Sequence, residues 1–169
     1  MTSLRLPWLV AAALAAAAPA LAGSPPAAEL WNGAAAGMNI DQVFALFPRA
    51  EPVTGQTLED RSVQALALPA KIADTPARAL FFFHFRSLDA VVVERQGLRR
   101  GEQRRNLAEA DRLIALADRE YGQPVRCTKR PDIAAVSCLW RANGLEVGLS
   151  YHDAGGGSPA LSVAYRAAR

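Results

Sequence analysis

The chain has 169 residues, a formal charge of +3 and a sequence pI of about 9.2, with 51% hydrophobic and 21% charged residues. That length allows one domain, or two small units sharing a core, and a surplus of three charges is too small to name an acidic partner. Only Lys71 and Lys129 among the nineteen basic residues are lysines, a bias that fits a GC-rich genome, so the arginines alone do not argue for phosphate binding.

Residues 1–22 have the layout of a secretory signal peptide. Arg5 is followed by an Ala/Leu-rich apolar run, then Pro19, then small residues at Ala20-Leu21-Ala22. Cleavage is expected after Ala22, which removes Arg5 and leaves 147 of the 169 residues. An uncleaved anchor would call for a Leu/Ile-rich span without a cleavage signature. Ser24 stands where a bacterial lipoprotein would carry its acylated cysteine. The expected product is therefore an exported protein without a lipid or stable membrane insertion, periplasmic in a Gram-negative bacterium. Export also argues against nucleic acid and ATP as ligands.

Residues 23–36 are small, Pro-containing and aperiodic, and predict a flexible arm. A domain over 37–169 follows. Asn39 predicts a helix N-cap, with Gln42 reaching back as in a capping box and Met38 and Val43 as a hydrophobic staple. Pro48 ends this helix after about two turns. With Val43, Phe44, Leu46 and Phe47 it is mostly apolar and must pack on something larger. Three strand-like runs come next, at 62–68, 79–85 and 90–94, the middle one apolar on both faces.

A longer helix is predicted over 102–121. Leu107, Ala110, Ile114, Ala117 and Tyr121 form one stripe widened by Leu113, with Gly122 as the left-handed cap and Pro124 barring continuation. Strands at 135–141 and 145–151 flank Asn143-Gly144, a strong hairpin signal, and a last strand spans 160–166. The hexapeptides DQVFAL (41–46) and DRLIAL (111–116) echo each other at the same place in each half. The expected fold class is α+β: helices packed on an antiparallel β-meander sheet, with an internal α-β3-α-β3 pseudo-repeat over 37–97 and 102–166.

Cys127 and Cys138, an even pair in an exported chain, predict a structural disulfide. Neither CxxC spacing nor two further soft ligands accompany them, so redox and zinc roles are not indicated. Ser150, His152 and Asp153 suggest a triad, but strand alternation points Asp153 away from the other two. His84 and His152 occupy matching places in the two halves, and two histidines supply only half a zinc shell. No catalytic, cofactor or metal residues are assigned. Arg95, Arg99, Arg100, Arg104 and Arg105, around the start of the long helix, form a candidate anion-binding edge, interspersed with Glu94 and Glu102.

Gly37-Met38-Asn39 with Val43, and Tyr121-Gly122 with Pro124, resemble the repeat unit of exported proteins with the β-lactamase-inhibitor-protein-like fold, the unit also found in the SmpA/OmlA group. The resemblance implies helices on an antiparallel sheet and a role in binding other proteins. The lipidated cysteine of the assembly lipoproteins and a recognisable inhibitory loop are both missing. The reading is thus a non-catalytic binding protein of the bacterial cell envelope, contacting another envelope protein or an anionic component. The alternatives are an envelope hydrolase with unidentified site residues, or a carrier whose cavity is lined by Phe81, Phe83 and Phe85.

Overall fold

A computed structural model describes residues 27–53, 55, 57–58, 61–153 and 158–168. The signal segment 1–22, its cut after Ala22 and residues 23–26 lie outside the described residues. The chain begins with a hairpin, β1 (Glu29–Trp31) and β2 (Ala34–Ala35), followed by α1 (Ile40–Leu46), β3 (Glu51–Pro52), β4 (Val63–Ile72), β5 (Thr75–His84), β6 (Ser87–Arg95) and α2 (Gln103–Tyr121). Then come β7 (Arg126–Arg130), a single 3-10 turn (Pro131–Ile133), β8 (Ala135–Ala142), β9 (Leu145–His152) and β10 (Ala160–Ala167).

The fold is mostly β, and this corrects the α+β pseudo-repeat. Strands take 49% of the described residues and helices 22%; one antiparallel sheet, ordered β3-β4-β5-β6-β10-β9-β8-β7, organises the molecule. The expected α-β3-α-β3 count fails because each helix is followed by four strands, β3–β6 after α1 and β7–β10 after α2. It also fails in the echoed hexapeptides. Val43 and Leu113 are both buried, yet Phe44 is 43% exposed where its counterpart Ile114 is 7% exposed. α1 is a seven-residue patch on the sheet, whereas α2 runs 19 residues and packs on β8 and β9.

Local chemistry accounts for most element ends. Asn39 Oδ1 accepts from the Gln42 amide and Gln42 Oε1 from the Asn39 amide, both at 2.9 Å, which closes the capping box. Gly122 ends α2 at φ +83°. The hairpin turns at 73–74, 85–86 and 143–144 all put both central residues at positive φ, the mirror-image geometry that matches strand twist. Of these three only the last uses Asn-Gly, which recurs at positive φ in the β1–β2 turn as Asn32-Gly33.

Both helices and the β1–β2 hairpin cover one sheet face. Leu30 of the hairpin and Val43 of α1 pack with Phe81, Val91 and Val93 of the sheet; Ala110 and Leu113 of α2 pack with Trp140, Leu149 and Leu161. Ile72, Leu145 and Tyr165 pack against both clusters, and β6 pairs directly with β10 from Ser162↔Glu94 to Arg166↔Ala90. The two halves thus share one sheet and one interior. Fully burying one such large side chain is worth about 1.5–3 kcal/mol, so the core is the main source of stability. On the opposite face Ala67, Leu80, Phe82 and Ala90 are covered by Val53 and Leu58, the second layer that a doubly apolar β5 requires.

The expected arm differs from what is seen over 27–36. Leu30 and Ala34 are buried and the Ala36 amide donates to the Ala28 carbonyl at 2.9 Å, so this segment is a packed hairpin. At the far edge, Cys127 and Cys138 face each other in the β7–β8 ladder and are joined by the disulfide. Two further contacts lock α2 in place. The Trp140 indole N–H donates to Asp118 Oδ1 at 2.9 Å, and Lys129 Nζ meets Asp111 Oδ1 at 2.6 Å.

Candidate functional site

Two features of the surface have the makings of a site. The first is the sheet end where β4 begins and β5 turns into β6. α1 buries only Val43, because a two-turn helix can turn one narrow stripe to the sheet. Ile40 (42% exposed) and Phe44 remain at the surface, and Ile40 lines a hollow with the exposed Val63 (49%) at the start of β4. Phe85, at the turn between β5 and β6, is 90% exposed. Its φ is +46° and that of Arg86 is +69°, a conformation that costs a residue with a β-carbon about 1–2 kcal/mol. The His84 and Phe85 rings meet edge to face at 4.3 Å. Asn39, Ile40, Val63, Phe83, Phe85 and Arg86 enclose a hollow of about 770 Å³. This is an apolar projection beside a largely apolar hollow.

The second feature lies between α2 and the hairpin. An apolar chamber of about 200 Å³ reaches under α2 to Trp140, Leu149 and Val163. A more polar cleft of about 480 Å³, lined by Glu29, Trp31, Asn32 and Asn143, opens beside it. Glu120, Tyr121 and Tyr165 line both. Burial, and then the Glu120 carboxylate, push the Tyr165 phenol up to about 12; burial first, with Tyr165 and Glu120 adding to it, also raises Tyr121. Both phenols are therefore neutral donors at ordinary pH.

The residues singled out in the sequence are dispersed. Arg95 on β6 is mostly covered and pairs with Glu109 on α2 at 2.5 Å. Arg99 and Arg105 share Glu102, at 3.8 and 3.3 Å. Arg100 and Arg104 are exposed nearby. The five arginines therefore surround the start of α2 with Glu102 and Glu109 set among them. Ser150 and His152 are exposed on β9, and among the described residues no hydrogen bond joins either to Asp153, whose amide instead donates to the Ala134 carbonyl. His152 pairs with Ala160 at one end of β10, while His84 lies by Arg166 and Ala167 at the other. At ~3.3 Å per residue the two are on the order of 25 Å apart. Among the described residues no group of three or more His, Cys, Asp and Glu is placed to hold a metal ion. Nor is any helix there long and apolar enough to cross a membrane.

The expected cavity of Phe81, Phe83 and Phe85 is not formed as such. Phe81 is core, its ring 6.1 Å from Trp31 and 5.2 Å from Phe47, and only Phe83 and Phe85 reach the hollow. Sequence reading passed over Val63, Glu120 and Tyr165. The excess apolar content of 40–47 was the one signal of an unsatisfied helix.

No family model matches the chain, and no curated protein matches it. Among solved structures, a crystal structure of a DUF4309 family protein from Bacillus subtilis subsp. subtilis str. 168 is similar at 15% identity, over 77% of this chain and 78% of that one, with a TM-score of 0.42.

Proposed function

We propose that this is an exported, non-catalytic binding protein of the bacterial cell envelope, periplasmic in location, which grips another envelope protein with the apolar sheet end around Phe85. The observation that carries the reading is Phe85 itself: a large aromatic held almost wholly in water on a turn whose backbone disfavours it. Single exposed apolar residues are ordinary; one that also strains the backbone and shares a hollow with Ile40 and Val63 has the character of an interface anchor. The signal-like segment and the disulfide support export. The arginines at the start of α2 are the alternative contact, for an anionic component, and salt separates the two.

The test is retention of a partner from envelope extract on the immobilised protein. Wild type should retain a discrete protein at 0.5 M salt, because an apolar contact survives screening. Phe85→Ser should weaken that retention about thirty-fold, the effect of losing about 2 kcal/mol at an anchor, while Arg99→Ala/Arg104→Ala leaves it unchanged. Retention that dissolves in salt and depends on the arginines, or that ignores Phe85, would overturn the proposal.

A further inference from the structure

The chamber beneath α2 and the cleft beside the hairpin adjoin each other, with Glu120, Tyr121 and Tyr165 lining both. Their chemistries differ in a way that describes a ligand. The inner chamber, about 200 Å³, is lined by Leu113, Trp140, Val147, Leu149 and Val163. An engineered apolar core cavity of about 150 Å³ admits benzene, so a ring of that size fits. The outer cleft offers the Glu29 and Glu120 carboxylates and the aromatic groups of Trp31, Tyr121 and Tyr165, with no Lys or Arg among its described lining residues. The Gly33 amide donates to Glu29 Oε1 at 2.7 Å, so the hairpin turn fixes this carboxylate in place. Cations are held by carboxylates and by aromatic faces together. Lys71 lines only the inner chamber, where it opposes a cationic end and favours one orientation.

We infer that this double chamber binds a small organic ammonium ion bearing a benzyl-sized apolar body. The ring enters beneath α2, and the ammonium group sits between Glu29, Glu120 and the aromatic side chains. This site uses none of the residues around Phe85 and stands or falls separately from the protein-binding surface.

One tryptophan lines each chamber, Trp140 the inner and Trp31 the outer, so intrinsic fluorescence of the folded protein reports binding. Phenethylammonium, phenylacetate and benzyl alcohol share the ring and differ in charge. At pH 7 phenethylammonium should give a saturable one-to-one response at least ten-fold tighter than phenylacetate. Glu120→Gln, a change at an exposed position, should weaken phenethylammonium five- to ten-fold and leave benzyl alcohol unchanged. Ala117→Phe, which fills the inner chamber, should weaken all three, with circular dichroism confirming that both variants remain folded. Absence of a saturable response to all three probes, equal binding of the two ions, or indifference to Glu120→Gln would overturn the inference.

Discussion

Phe85 occupies a turn position that glycine would fill at no steric cost. Phe85→Gly should therefore stabilise the fold by about 0.5–1 kcal/mol, the relief of a left-handed backbone less the entropy that glycine loses, while abolishing partner retention. Urea denaturation reads the first and the envelope pull-down the second. A destabilised variant would show that the ring is a structural contact. The strand-like runs at 79–85 and 90–94 imply a hairpin connection at 86–89; that it turns at Phe85-Arg86 was not legible, because neither residue favours positive φ. Asn143-Gly144, and the Asn39–Gln42 capping box, were legible because in them the residue type and the backbone demand coincide. Glu94 on β6 offers a second test at this scale. Burial raises its pKa, with Arg78 across the β5–β6 pair pulling the other way. A carboxyl that holds its proton more firmly when folded penalises the fold above its folded pKa and is neutral to it below the unfolded one. Glu94→Gln should therefore raise the melting temperature slightly at pH 7, with the gain shrinking as the pH falls through the raised folded pKa and gone below about 4. A lower melting temperature at pH 7 would mean that attraction to Arg78 outweighs burial.

Among the longer strands, β7 is the one that sequence patterning could not reveal; the short β1, β2 and β3 were likewise not foreseen. Arg-Cys-Thr-Lys-Arg has no apolar alternation, and every one of its residues is exposed; it exists through its ladder to β8, the disulfide and the Lys129–Asp111 contact. Reduction, or the Cys127→Ser/Cys138→Ser double variant, should cost about 3 kcal/mol on the chain-entropy model for a loop of this length. Denaturant midpoints of the oxidised and reduced protein measure it, and an unchanged midpoint would mean that the ladder alone secures the edge. The stripe on α2 was legible, since Ala110, Leu113 and Ile114 are buried where the 3.6-residue period puts them and Leu107, Ala117 and Tyr121 are partly buried against the same cluster. α1 was legible as a helix but its exposed side was not, because the period cannot tell which of several apolar residues the sheet has room to cover.

At the level of the whole molecule, the β6–β10 pairing decides the architecture. Nothing in 90–94 or 160–166 marks these runs as neighbours, so local patterning shows two similar halves sharing a core but not the seam that joins them into one eight-stranded sheet. Both proposed surfaces depend on that seam. The cleft combines the amino-terminal hairpin with α2 and β10, and Arg166 and Ala167 of β10 sit beside His84 and Phe85. The central claim is that a single cooperative sheet holds both surfaces ready-made. Native-state amide hydrogen exchange tests it most directly. Amides of β5, β6, β9 and β10 should exchange with one common free energy equal to that of global unfolding, while β7 and the β1–β2 hairpin open at lower cost. Two separate free energies, one for the strands before α2 and another for those after it, would contradict the account.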